Sequence, residues 1–438
     1  MQAIDTILDA GWIIPVEPLN TVYKDSSIII DKGLILEILP TKDALSKYTP
    51  NQHLRYPQHV LMPGFVNAHT HASMGLFRGL ADDMPLMQWL NDYIWPAESK
   101  HMNEEFVRDG SQLAIAEMIR GGTTCFNDMY FFPEVTAKIA QDAGIRAVVG
   151  LIVLDFPSVW AANADEYINK GLEINDRYRD DALISTAFAP HAPYTVSDQA
   201  LKHVQMLANE LDLSIHMHVH ETQDEINKSL EQYKVRPLER LKQLGILTPN
   251  LLAVHMTQLE EKEIADIAEY GVQLVHCPES NLKLASGFCP VHQLTQSGVN
   301  VALGTDGAAS NNDLDMVSEM RTAALLAKAI AADASALDAM QAIQMATLNG
   351  AKALGLDGQI GSLLPGKSAD IIAVDFDSIE TQPVYHPESH IVYSCSRDKI
   401  TDVWIHGQHL LKQRELTRLD QKEILAKAHS WQQRINTL

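Results

Sequence analysis

VLMPGFVNAHTH, residues 60–71, is an apolar run of strand-forming residues that stops on a pair of histidines, and it is the first of eight such runs. TTCFND (123–128), RAVVGLIVLD (146–155), ISTAFAPHAP (184–193), LSIHMHVHE (213–221), LLAVHMTQ (251–258), GVQLVHCPES (271–280) and VNVALGTDG (299–307) follow in order. Helical patterns separate most of them: EEFVRDGSQLAIAEMIRGG, SDQALKHVQMLANELD and LEEKEIADIAEYG. Several helices close on the glycine that suits the position after a last helical turn. Apolar strands alternating with helices predict a parallel sheet, and eight is the number that closes a (β/α)8 TIM barrel. The competing reading is an open, doubly wound sheet. The polar residues at the ends of the runs decide against it.

Outward from the barrel, the period changes. Residues 1–58 contain IDTILDAGWIIPV and SIIIDKGLILEIL, and the segment from 366 onward contains GKSADIIAVDF, HIVYSCS and ITDVWIHGQHLLKQR. These alternate with period two and read as strands and hairpins. They predict one small β-sandwich made from both chain ends (1–58 and 366–415), beside a barrel over 59–365. Residues 416–438 are expected to form a terminal amphipathic helix.

The chain has 438 residues, 46% of them hydrophobic and 21% charged, as in an ordinary globular protein with a large core. A net charge of −22 repels a bare polyanion, so nucleic acid is not an expected partner. The four cysteines lie far apart, with no CxxC, which fits a reducing compartment. The N-terminal stretch MQAIDTILDAGWIIPVEP lacks a basic region, so no signal peptide is expected. No run of about 18 apolar residues predicts a membrane span. The expectation is a cytoplasmic protein with no membrane partner.

Working residues of a TIM barrel sit where its strands end. The first run ends in His69-Thr70-His71, and period-two alternation puts both imidazoles on one face. The fifth carries His216, His218 and His220 on one face, followed by Glu221. The sixth carries His255, and the eighth ends in Thr305-Asp306-Gly307. Imidazoles and a carboxylate converging from four strands point to a metal site, and neutral imidazole suits zinc.

The segments MPGFVNAHTHASM (62–74), PHAPYT (190–195), HMHVHET (216–222), AVHMT (253–257), HCPESNLKLASG (276–287) and LGTDGAASNNDLDM (303–316) resemble, in order, the motifs of the amidohydrolase superfamily. They are similar in particular to its branch of 5′-methylthioadenosine/S-adenosylhomocysteine deaminases, which also includes triazine hydrolases. The resemblance implies one Zn2+ per subunit held by His69, His71, His218 and Asp306. Two-metal members carry a bridging carboxylated lysine at the end of strand 4; this chain has His191 there. The family pattern, a ligand histidine three residues before the catalytic glutamate, selects His218 with Glu221. The roles of His216 and His220 stay open, as does iron or manganese in place of zinc.

The same resemblance implies the chemistry. Hydroxide from zinc-bound water attacks the ring carbon that bears the amino group. Glu221 shuttles the proton, while His255 and Asp306 orient the attacking group. In ADDMPLMQWLNDYIWPAES (81–99), Asp83 and Pro85 read as a helix start and Pro96 as its end. Trp89 and Glu98 are the residues expected on the nucleoside and its ribose hydroxyls, and His191 the one at the purine edge. Phe156, Pro157 and Trp160 of LDFPSVW suit a short apolar 5′ group. The expected reaction converts 5′-methylthioadenosine, with S-adenosylhomocysteine and adenosine as alternatives, to the inosine analogue and ammonia. A guanine deaminase-like or chlorotriazine hydrolase-like enzyme acting on a free base or triazine is the competing reading. A non-enzymatic scaffold would be expected to lose metal ligands, and all four are present. A homodimer or a homotetramer is compatible with the sequence.

Overall fold

Eight parallel strands follow one another round a barrel in sequence order, in a computed structural model that describes residues 1–436. They are, as barrel strands 1–8, Phe65–Thr70, Thr123–Tyr130, Arg146–Val153, Ile184–Pro190, Ile215–Val219, Leu251–His255, Gln273–His276 and Val301–Leu303. Their residues are almost all buried because helices cover the outer face and side chains fill the interior. This double burial is why the runs read as continuous apolar stretches rather than alternating ones. The three helical patterns quoted above form Glu104–Arg120, Asp198–Leu211 and Glu261–Tyr270.

The seam between strands 8 and 1 positions the metal-side residues. Asp306 N donates to His69 O at 3.0 Å, and Thr305 N to Asn67 Oδ1 at 3.0 Å. Gly304 makes this approach possible, since a Cβ there would sit 2.8 Å from the backbone nitrogen of His69. The chain therefore brings Asp306 beside His69 only with glycine at 304.

The run at 60–71 divides where the sequence predicts one strand. Residues 60–63 finish a 16-residue strand of the other domain, Tyr48–Pro63, and Phe65–Thr70 starts the barrel. Pro63 and Gly64 punctuate it, and a side chain at 64 would strike Thr124 at 2.1 Å.

Both chain ends meet in one hydrogen-bonded mixed sheet of eight strands. Gln2–Ile13 runs parallel to Tyr48–Pro63, and the other pairs are antiparallel. The expected sandwich is this sheet folded over. Ala369 N donates to Gly33 O at 2.8 Å across the fold, enclosing Leu8, Ile28, Ile35, Ile371 and Trp404. HIVYSCS is not a strand, contrary to its alternating pattern. Pro387–Tyr393 is a helix, with Pro387 at a first-turn position that needs no N–H donor. The terminal helix is Gln421–Ile435; residues 437–438 of that expected segment lie outside the described residues. Its Trp431 donates to Asp109 Oδ2 at 3.0 Å and meets Phe106 edge-on. Among the described residues, no helix is long and apolar enough to cross a membrane.

Arg146 ties the folded sheet to the bottom of the barrel, far from the strand ends that carry the histidines. Its Nε lies 3.4 Å from Asp370 Oδ2, with both side chains buried. Arg146→Ala removes the ion-pair partner of the buried Asp370 carboxylate, so unfolding stability should fall by about 3–5 kcal/mol. Urea denaturation checks this, and an unchanged midpoint would show that the two domains do not depend on the pair.

Candidate active site

Three of the expected site residues end barrel strands or follow them directly with left-handed backbone or beside it. His255 (φ +77°) and Asp306 (φ +62°) are left-handed themselves, and His220 (φ +54°) turns the chain immediately before Glu221. Non-glycine residues in this region cost about 1–3 kcal/mol each, and such strain persists where the surroundings hold it in place. Here those surroundings are visible. The Glu225 carboxylate accepts from His220 N at 3.0 Å and Glu221 N at 2.8 Å, and Thr257 Oγ1 donates to Glu221 O at 2.7 Å. Glu221 is thus anchored at both its backbone groups.

The imidazoles converge through Nε2 because each Nδ1 is engaged elsewhere. His71 Nδ1 donates to Met129 O at 2.5 Å and His218 Nδ1 to His191 O at 2.8 Å. His255 Nδ1 pairs with Asn281 Oδ1 at 2.9 Å, and His69 Nδ1 with His216 Nε2 at 2.8 Å. Fixing one ring nitrogen as the donor leaves the other as a ligand lone pair. His69 Nε2 and His71 Nε2 each lie 3.3 Å from Asp306 Oδ1, and His218 Nε2 lies 3.3 Å from His69 Nε2. A tetrahedral zinc with bonds of about 2.0–2.1 Å spaces its ligands roughly 3.3–3.4 Å apart. Two lone pairs facing each other at this distance repel unless a cation or proton lies between them. The donors form two triads sharing His69: His69–His71–Asp306 and His69–His218–His255. The residues present therefore fit a zinc ion. Asp306 is itself held, its Oδ2 accepting from Ser280 Oγ at 2.6 Å and Ser310 Oγ at 2.8 Å.

A cavity of about 710 Å³ opens above these groups. His71, Trp89, Glu98, His191, His218, Glu221, His255 and Asp306 all line it, and His69 is fully buried beneath. Glu221 Oε1 lies 3.8 Å from His255 Nε2, and burial pushes the Glu221 carboxyl up. His191 is kept neutral, its pKa driven down to about 3 by burial and by the neighbouring His71 and His69. Thr195 Oγ1 donates to Ala192 O, so His191 donates to Thr195 from Nδ1 and keeps Nε2 as an acceptor. Of the two unassigned histidines, His216 braces His69. His220 points away from the cavity and accepts from Leu238 N at 3.1 Å.

Pro96 does not end the helix that carries Trp89. Leu86–Trp89 passes into a π-helical turn, Leu90–Ile94, closed by Trp95 N donating to Leu90 O, and the helix continues as Trp95–His101. The wider turn accommodates the proline ring and its missing N–H. It also absorbs one residue. Nine α-helical residues would set Trp89 and Glu98 on opposite sides; eight leave them about 80° apart, at about 100° per residue. Both side chains thus reach the same cavity. Trp89 is buried, its Nε1 donating to Ala81 O at 3.1 Å. Glu98 is half-buried and lines the cavity, and desolvation pushes its carboxyl up to about 7.

Phe156 and Pro157 line the cavity as expected, but Trp160 does not: it packs on Tyr167 and donates to Glu134, and Val159 takes its place. Among the described residues no lysine or arginine lines the cavity. Sequence reasoning passed over Ser280, Asn281, Ser310, Glu225 and Tyr130. The first three stand inside the quoted motifs, which was the available signal. Tyr130 lies just past the run that ends at Asp128.

The sequence profile of the amidohydrolase family matches residues 60–410. The chain is 51% identical to the 5-methylthioadenosine/S-adenosylhomocysteine deaminase of Teredinibacter turnerae, over 99% of this chain and 98% of that one. It is 42% identical to the 5'-deoxyadenosine deaminase of Methanothermobacter thermautotrophicus, over 97% of this chain and 96% of that one. An adenosine deaminase structure from Xanthomonas campestris with bound zinc superposes with a TM-score of 0.99 at 52% identity, each chain covered to 100%.

Proposed function

This chain belongs to the amidohydrolase family, and on that footing we propose that it hydrolytically deaminates adenine nucleosides with a small apolar 5′ group. 5′-Methylthioadenosine is the leading substrate, and the products are the inosine analogue and ammonia. The observation that carries this reading is the sharing of one cavity. A carboxylate suited to a vicinal diol, Glu98, and a buried acid, Glu221, open onto the same space as the converging imidazoles.

His69, His71, His218 and Asp306 would hold one zinc in this reading. Zinc supplies a Lewis-acid charge that makes a water molecule acidic near neutral pH. Everything else falls to side chains of the chain. Glu221 takes a proton at Oε1 and delivers it to the ring nitrogen beside the amino-bearing carbon, a task its raised pKa suits. His255, 3.8 Å from that carboxylate, orients the attacking oxygen. Asp306, with Oδ2 fixed by two serine hydroxyls, accepts the second proton and passes it to the departing ammonia. Trp89 packs on the nucleoside, Glu98 accepts from the ribose hydroxyls, and His191 meets the purine edge.

Leu86, Leu90, Phe156, Pro157 and Val159 surround the space for the 5′ group. An amino-acid tail placed there would lose water around its carboxylate without meeting a cation. We expect kcat/KM for 5′-methylthioadenosine to exceed that for S-adenosylhomocysteine by at least roughly tenfold, the scale at which one poorly matched group discriminates substrates. Absorbance assays on 5′-methylthioadenosine, S-adenosylhomocysteine, adenosine, adenine and guanine in parallel test both statements. Turnover of a free base alone would overturn the nucleoside reading. A higher kcat/KM for S-adenosylhomocysteine would overturn the 5′ preference.

A further inference from the structure

We propose that Tyr130 is a positioning residue for sugar recognition, holding Glu98 so that its carboxylate presents to a vicinal diol. The inference rests on the nucleoside reading above and extends it to a residue outside the expected site.

Tyr130 Oη donates to Glu98 Oε1 at 2.7 Å, the one hydrogen bond of this carboxylate among the described residues. Tyr130 is buried, and desolvation pushes its hydroxyl well above the usual tyrosine range, so it remains a donor. Its ring packs in the same apolar cluster as Trp89, Ile94 and Met102. A carboxylate offers about four lone-pair sites. Tyr130 takes one, on Oε1, and so sets the plane in which the others face the cavity. Without that bond, no hydrogen bond among the described residues would orient the Glu98 carboxylate.

The backbone adds a second link. Tyr130 follows Met129, whose carbonyl accepts from His71 Nδ1. Two consecutive residues at the end of barrel strand 2 thus brace one residue of the imidazole cluster and the carboxylate at the sugar end. His71 and Glu98 are both tied to adjacent residues of one strand.

The test is Tyr130→Phe, which removes one oxygen atom and keeps the ring. On adenosine, KM should rise roughly ten- to hundredfold, the range for a lost hydrogen bond to a charged group, with kcat little changed. On 2′,3′-dideoxyadenosine, which has no diol, KM should match the unaltered protein. In a Glu98→Gln background, Tyr130→Phe should add nothing further, since both changes remove one unit. Equal losses on both nucleosides would reduce Tyr130 to packing and overturn the proposal, as would additive losses in the double variant. Calorimetric binding of inosine against 2′,3′-dideoxyinosine reads the same contrast without turnover. A protein that fails to deaminate but keeps a Tyr130-dependent preference for inosine refutes the proposed reaction and leaves this inference standing. If Tyr130→Phe does not fold, a fluorotyrosine at position 130, which alters the donor strength of the hydroxyl and keeps the ring, should shift KM for adenosine and leave that for 2′,3′-dideoxyadenosine unmoved; an unmoved adenosine KM would overturn the proposal.

Discussion

Glu221→Gln is expected to lower kcat on 5′-methylthioadenosine by about 10²–10⁴-fold, the range that a positioned acid–base group contributes. Zinc content should stay at one per chain. The substitution keeps the shape of the side chain and changes neither backbone anchor, since Glu225 and Thr257 hold main-chain groups of residue 221. It removes only the capacity to carry a proton. Glu221 takes no part in either triad of donor atoms, so metal retention separates a proton role from a ligand role. Metal analysis alongside steady-state kinetics makes the check. A variant that keeps kcat within about tenfold would move the proton transfer to another group.

Stripping the metal is the second large effect. Turnover should fall to background and return on adding zinc. Stability should fall as well, because the emptied site leaves imidazole lone pairs facing one another beside the buried Asp306 carboxylate. A ligand present at 1,000 times its dissociation constant stabilises the folded state by about 4.1 kcal/mol. Melting curves with chelator and with zinc should therefore separate by several degrees. Coincident curves would mean that these donors do not bind metal in the folded protein.

The barrel was readable from sequence because parallel strands buried on both faces write themselves as unbroken apolar runs. The imidazole cluster was readable because the strand ends of a closed barrel must converge. What stayed hidden depends on contacts between residues distant in sequence. Pro63-Gly64 punctuates VLMPGFVNAHTH, but the close approach of Thr124 that leaves no room for a side chain at 64 comes from a residue outside the run. HIVYSCS alternates like a strand, but its first four residues close a helix that starts at Pro387. Pro96 read as a stop signal and is instead accommodated by the π turn that lets Trp89 and Glu98 share a cavity. Trp160 had the right chemistry for the apolar wall and points elsewhere. Ser280, on the short helix Pro278–Lys283, and Ser310, in the loop after barrel strand 8, support Asp306 through their hydroxyls, a pairing that no spacing rule predicts.

The most direct test of the central claim is the fate of one oxygen atom. 5′-Methylthioadenosine turned over in ¹⁸O-labelled water should give a product that has lost its amino nitrogen as ammonia. That product should carry one solvent oxygen on the purine ring, with the sugar–base bond and the 5′ group intact. Release of free adenine, or recovery of unlabelled nucleoside with no ammonia, would contradict the account.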